Sequence, residues 1–129
     1  MNTVATSINK KVDGNGNQAT FFYPYGIYFD SSSNSLIIAD LFFASIRKMN
    51  QSGLSFKSSS KTTQKLNSAP LYWTKGYTTT VAGYGALGTN DGQGTLAHFY
   101  QPFSVTMDSI GNIYVGDYCA IRMINSTGF

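Results

Sequence analysis

The chain reads as an all-β protein built of small antiparallel sheets, and three features of the sequence predict this. Shifted by 78 residues, Asp13, Gly14, Gly16, Ala19, Phe21, Pro24 and Asp30 fall on Asp91, Gly92, Gly94, Ala97, Phe99, Pro102 and Asp108. Seven identities in 18 positions, with spacing kept, make an internal repeat, and a repeat at fixed period is a unit of architecture. The apolar runs are short, β-branched and bounded by turn residues. No stretch carries an apolar period of 3.6 residues.

The strands can be placed in order. Ser7 to Gly16 is polar and rich in Gly and Asn, hence a loop. Pro24 biases the residue before it toward extended backbone and opens a strand over Tyr25 to Phe29. Ser31 to Asn34 turns. Leu36 to Ala39 is the next strand, ending at Asp40, and Ser45 to Met49 the third. The second copy repeats the order. Phe103, Val105 and Met107 alternate with Ser104 and Thr106, Ser109 to Asn112 turns, Ile113 to Val115 follows, and Ile121 to Ile124 closes. Thr78 to Ala82 is expected as a fourth strand ahead of the second copy, and Thr3-Val4-Ala5 is a similar β-prone scrap near the start. The chain thus divides into a first repeat over 1–53, an inserted loop over 54–76 rich in Ser, Lys and Thr, and a second repeat over 77–129.

Composition narrows the function classes. At 129 residues, 42% hydrophobic and 15% aromatic, the chain can form one domain with a core. A net charge of +3 does not by itself argue for nucleic acid. The single cysteine, Cys119, excludes an internal disulfide. No run approaches the ~18 apolar residues of a membrane helix, so no membrane insertion is expected. The first eleven residues hold no long apolar core, and no signal peptide is expected there. All six acidic residues are Asp and occupy equivalent places: Asp13 with Asp91, Asp30 with Asp108, Asp40 with Asp117. A carboxylate used twice at one place is expected to hold a turn rather than to work as an acid or base.

Thr80-Val81-Ala82-Gly83, Gly85, Gly88, Asp91-Gly92, Gly94, Ala97, Phe99, Pro102, Asp108, Gly111-Asn112-Ile113-Tyr114-Val115, Asp117 and Ile121-Arg122 together resemble an NHL repeat. The resemblance covers 80–128 strongly and 13–53 well. It implies that each copy is a four-stranded antiparallel blade of a β-propeller, with six blades usual and the outermost strand commonly supplied by a neighbouring repeat. The chain departs from the family pattern in four respects. Phe43 stands where an Asn is frequent, Ser104 replaces the Gly found as Gly26 in the first copy, and Thr6 replaces the Gly after Thr-Val-Ala. The span Asp117 to Ile121 is two residues shorter than Asp40 to Ile46. Two blades leave two apolar faces uncovered. Further repeats in a longer protein are the preferred way to cover them, and a trimer of two-repeat chains closing a six-bladed ring is the alternative for a complete chain.

Candidate site residues are few. His98 has no second ligand near it in sequence, so no metal or other cofactor is expected. Cys119 has no base beside it. The run Gly83 to Gly94 lacks the Lys-Ser/Thr ending of a phosphate loop and is expected to serve turn geometry. Arg47 and Arg122 are equivalent, and pairing with an Asp is their expected role; a basic groove for RNA is the alternative. Lys57, Lys61, Lys65, Tyr72 and Trp73 of the insertion join the two arginines as candidate partner contacts. Asn50-Gln51-Ser52 and Asn125-Ser126-Thr127 fit the N-glycosylation acceptor pattern at the same turn of both copies. The resemblance implies a non-catalytic binding scaffold, mainly for protein partners. It also leaves two alternatives: a metal-dependent lyase- or hydrolase-like propeller enzyme, and an RNA-binding propeller.

Overall fold

The computed structural model describes residues 10–50 and 76–127. Eight strands follow one another: β1 (Gly14–Asn15), β2 (Pro24–Asp30), β3 (Ser35–Asp40), β4 (Ser45–Asn50), β5 (Tyr77–Ala82), β6 (Ser104–Met107), β7 (Ile113–Asp117) and β8 (Ala120–Ile124). Two single 3-10 turns, Gly16–Gln18 and Gly94–Leu96, are the only helical pieces among the described residues. The all-β expectation holds. The strands form two sheets, ordered β1-β5-β4-β3-β2 and β6-β7-β8, every pairing is antiparallel, and neither sheet closes on itself.

Each strand follows from its residues. β3 is buried along nearly its whole length, which suits the continuous apolar run Leu36-Ile37-Ile38-Ala39 at the centre of a sheet. β2 alternates, with Tyr25, Ile27 and Phe29 exposed. The turns between β2 and β3 and between β6 and β7 are built by equivalent carboxylates. Asp30 accepts the Ser32 N–H at 3.0 Å, the Ser32 hydroxyl at 2.7 Å and the Ser33 hydroxyl. Asp108 accepts the N–H groups of Ile110 and Asn112 at 3.1 and 2.8 Å, the Asn112 amide at 2.9 Å and the Tyr114 hydroxyl at 3.1 Å. Desolvation pushes both carboxyls up, but these donors outweigh it and hold both below the ordinary carboxylate value.

The strand expected ahead of the second copy is present as β5. It pairs along β4 of the first sheet, with Met49 opposite Thr78 and Ile46 opposite Ala82. Its register is fixed from outside the sheet. Asp13 accepts the Thr80 N–H at 2.8 Å and the Thr80 hydroxyl at 2.9 Å. Lys11 donates to the Gly83 carbonyl at 3.1 Å just past the strand's end. Three strands make the second sheet among the described residues.

The two sheets stack in one sense. β3 sends Ile37 and Ala39 into a core shared with Ile46, Ala82, Phe99, Ile113 and Val115. Ile38 points the other way, into a smaller cluster with Ala19, Phe21 and Met49. Val115 is the repeat equivalent of Ile38, since Asp117 matches Asp40. One face of the first sheet therefore meets the opposite face of the second. β2 and β6 lie close, and Gly26 makes this approach possible: a Cβ there would sit 2.7 Å from the Ser104 Cα and 2.5 Å from the Phe103 carbonyl oxygen. Backbone cannot move aside as a side chain can. Gly26→Ala is expected to destabilise by about 1–3 kcal/mol, read as a lower urea midpoint at unchanged slope; an unaltered midpoint would mean the sheets are not held this close.

Candidate functional site

The chemistry of the chain is concentrated in two equivalent arginine centres, one per copy. Arg47 enters from β4, where it faces Ile38 across the sheet. Its side chain is fully buried. One terminal nitrogen donates to the Thr20 carbonyl at 2.8 Å and reaches Asp40 at 3.4 Å. The other donates to the Val12 carbonyl at 2.9 Å and to Asp13 at 2.8 Å. The guanidinium lies over the Phe21 ring, 4.8 Å from its centre. Arg122, from β8, repeats the pattern. It donates to the carbonyls of His98 and Asn90, bonds Asp91 at 2.6 Å, approaches Asp117 at 3.8 Å, and lies 4.8 Å from the centre of the Phe99 ring.

The second carboxylate of each centre clamps a loop. Asp40 accepts the Phe22 N–H through both oxygens, at 3.1 and 3.3 Å. Asp117 accepts Tyr100 N–H with both oxygens at 3.1 Å, and Gln101 N–H at 2.7 Å. Burial pushes the Asp40 carboxyl up to about 6, against the opposing pull of the Phe22 N–H and of Arg47. Burial likewise lowers the pKa of Lys11, with Arg47 adding repulsion. All six aspartates are thus engaged in loop clamps, turns or arginine pairs.

These placements sort the sequence candidates. Arg47 is turned inward and offers no contact surface, because four acceptors surround a charge that would otherwise be stranded out of water. The Arg122 side chain is only 12% exposed and is held the same way. Both follow the Asp-pairing expectation and not that of a basic groove. Lys57, Lys61, Lys65, Tyr72 and Trp73 lie outside the described residues. His98 stacks on Tyr84 with ring centres 5.2 Å apart, and Cys119 is exposed in the β7–β8 turn. Among the described residues no group of three His, Cys, Asp or Glu is placed to hold a metal. The glycine run is turn geometry, with positive φ at Gly83, Gly85 and Gly94.

Two surface features were not singled out from sequence. The first is an aromatic rim where β3 and β7 end. Tyr23 and Phe42 pack as tilted rings with centres 5.0 Å apart, as do Phe22 and Phe42 at 4.8 Å and Tyr100 and Tyr118 at 5.2 Å. Tyr23, Phe42, Tyr100 and Tyr118 are 60, 54, 40 and 61% exposed. The signal was available: each lies within two residues of a loop clamped by Asp40 or Asp117, or beside that Asp itself. The second is an open groove of about 1030 Å³ between the 89–94 loop and β8, lined by Asp91, Gly94, Phe99, Ile121, Arg122 and Met123 among others. Comparison of the chain with protein-family models and with curated proteins gives no match.

Two outcomes test the arginine centres. Asp13→Ala strands a buried guanidinium and releases Thr80, so a loss of about 3–5 kcal/mol is expected. Asp91→Ala removes a carboxylate that is 97% exposed, and a change within about 1 kcal/mol is expected. Equal losses in paired denaturant titrations would refute the asymmetry. The second outcome concerns pH. An unfolded Asp titrates near ~3.9, whereas Asp40 in the fold titrates at about 6. The folded state therefore holds an extra proton between these values, and the Asp40 contribution to stability falls as pH rises through that window. Asp30 and Asp108 act in the opposite sense, with stability present above ~3.9 and lost as pH falls. Asp40→Asn should make melting temperature rise more steeply from pH 4 to 6 than in the wild type, and a parallel profile would exclude the Asp40 titration.

Proposed function

We propose that the two copies are NHL-type propeller blades and that the chain acts as a non-catalytic scaffold for protein partners. One observation carries the functional step: the aromatic rim formed by Tyr23, Phe42, Tyr100 and Tyr118. It occupies the same end of both sheets, on loops clamped by Asp40 and Asp117. Rigid loops that present Tyr and Phe give large contact area at little ordering cost, and aromatic anchors are enriched at protein interfaces. The commitment of every aspartate to a structural bond supports a scaffold over acid–base chemistry. The repeated arginine centres support the blade reading, since both copies hold their loops by the same bonds.

The test is affinity capture from extract of the source cells, with the wild type run beside the quadruple variant Tyr23→Ala, Phe42→Ala, Tyr100→Ala, Tyr118→Ala. A stoichiometric protein partner recovered at least tenfold less by the variant is the expected result. These side chains are exposed, and the variant should retain its sheet signature by circular dichroism. Equal recovery, or no stoichiometric partner of the wild type, would overturn the reading.

A further inference from the structure

Three rings meet at one corner of the aromatic rim, those of Phe22, Tyr23 and Phe42, and the backbone there is strained to hold them. Tyr23 has a φ of 62°, a left-handed conformation that a bulky side chain rarely adopts. Its equivalent in the second copy, Gln101, has no positive φ, so the strain belongs to the first copy alone. It sets the Tyr23 ring centre 5.3 Å from that of Phe22 and 5.0 Å from that of Phe42. Phe22 in turn rests on Phe43, with centres 5.9 Å apart. Tyr23 and Phe42 stay more than half exposed despite these contacts. Strain that places a ring in water, where it adds nothing to the core, points to a surface that is used.

The main-chain groups of this corner are already engaged. Phe22 N–H donates to Asp40, and Phe43 N–H to the same carboxylate. Leu41 N–H donates to the Tyr23 carbonyl and Phe42 N–H to the Phe22 carbonyl, both at 3.1 Å. Ala44 N–H donates to the Leu41 carbonyl at 3.2 Å. Pro24 has no N–H to give. A ligand that adds as a β-strand needs a row of free N–H and C=O groups, and here that row is taken. Residues 20–24 and 41–44 carry no charged side chain, and Asp40 is buried. Neither an acidic nor a basic peptide finds a counter-charge on these loops. What the corner offers a ligand is ring faces and the Tyr23 hydroxyl.

A polyproline-II segment matches this inventory. Its proline rings pack on aromatic faces, its proline nitrogens need no acceptor, and its carbonyls stand outward without internal hydrogen bonds. Its shape is set before binding, so little ordering entropy opposes it. We propose that Phe22, Tyr23 and Phe42 receive a proline-rich segment of a partner protein, with a ligand carbonyl accepting the Tyr23 hydroxyl. The inference rests on the reading of the rim as a partner surface and names the chemistry of that partner. A glycan is the rival occupant. Sugar hydroxyls require acceptors as well as donors, and the carboxylate at this corner, Asp40, is turned inward onto Phe22 and Arg47.

The experiment titrates decaproline into the isotope-labelled full chain and follows amide shifts by NMR, with a Gly-Ser decapeptide and cellohexaose run in parallel. Saturable shifts centred on Phe22, Tyr23 and Phe42 are expected, with decaproline bound at least tenfold more tightly than the Gly-Ser peptide. Tyr23→Gly suits the left-handed backbone, so its urea midpoint should lie above that of Tyr23→Ala while decaproline binds at least tenfold more weakly than to the wild type. Phe42→Ala should weaken binding likewise. Tyr23→Phe keeps the rings and loses only the hydroxyl, and its affinity should fall between those of the wild type and Tyr23→Gly. The proposal is overturned by an absence of saturable shifts with decaproline, by wild-type affinity in Tyr23→Gly, or by cellohexaose binding in preference to decaproline. Should decaproline fail while the quadruple variant still loses a captured partner, the scaffold reading stands and the proline-rich ligand is excluded.

Discussion

The buried guanidinium of Arg47 is the constraint on which the first sheet depends. It joins four pieces of chain that no local propensity brings together: the loop at Val12 and Asp13, the segment at Thr20, the end of β3 at Asp40, and β4 itself. Taking the charge out of water is costly, and the cost is offset only when all its acceptors are in place. Asp13 then has an oxygen left for Thr80, which sets the register of β5. One side chain thereby links the loop, the turn clamp and the strand from the next copy.

The same constellation is only partly closed in the second copy. Arg122 keeps the carbonyls of His98 and Asn90, the aspartate pair and the ring of Phe99. Nothing among the described residues covers Asp91 or β8. The difference lies not in the arginine centres, whose residues match, but in what flanks them. The first sheet takes β5 and one covering face from the second copy. The corresponding edge and face of the second sheet are exposed among the described residues.

The aspartates divide by surroundings and not by type. Asp30 and Asp108 each accept several short-range donors in turns, which favours the charged form. Asp40 is buried where desolvation outweighs its partners, and its carboxyl is pushed up to about 6. A raised carboxyl pKa in many proteins marks catalysis. Here its neighbours are a loop N–H and an arginine already shared with Asp13, so the shift accompanies a structural clamp.

The sequence alone determined the all-β class, the repeat, the positions of β2 to β8 to within a residue or two, and the turn-holding role of Asp30 and Asp108; β1 was not among them, since Gly14 and Asn15 lie in the stretch read as a loop and pair with β5 only in the folded chain. The legible features are local matters: period-two alternation, turn chemistry and spacing are written along the chain. It also indicated that Arg47 and Arg122 pair with Asp, because equivalent charges recur in both copies. Only the tertiary structure decided the register in which β5 lies on β4. Strand propensity at Thr78 to Ala82 specifies an extended backbone but not its register, which Asp13, 67 residues away from Thr80, helps to hold. The aromatic rim and the open β8 edge were likewise decided in three dimensions. Whether Tyr118 or Ile121 is covered depends on the neighbouring sheet, and no spacing within the chain reports that.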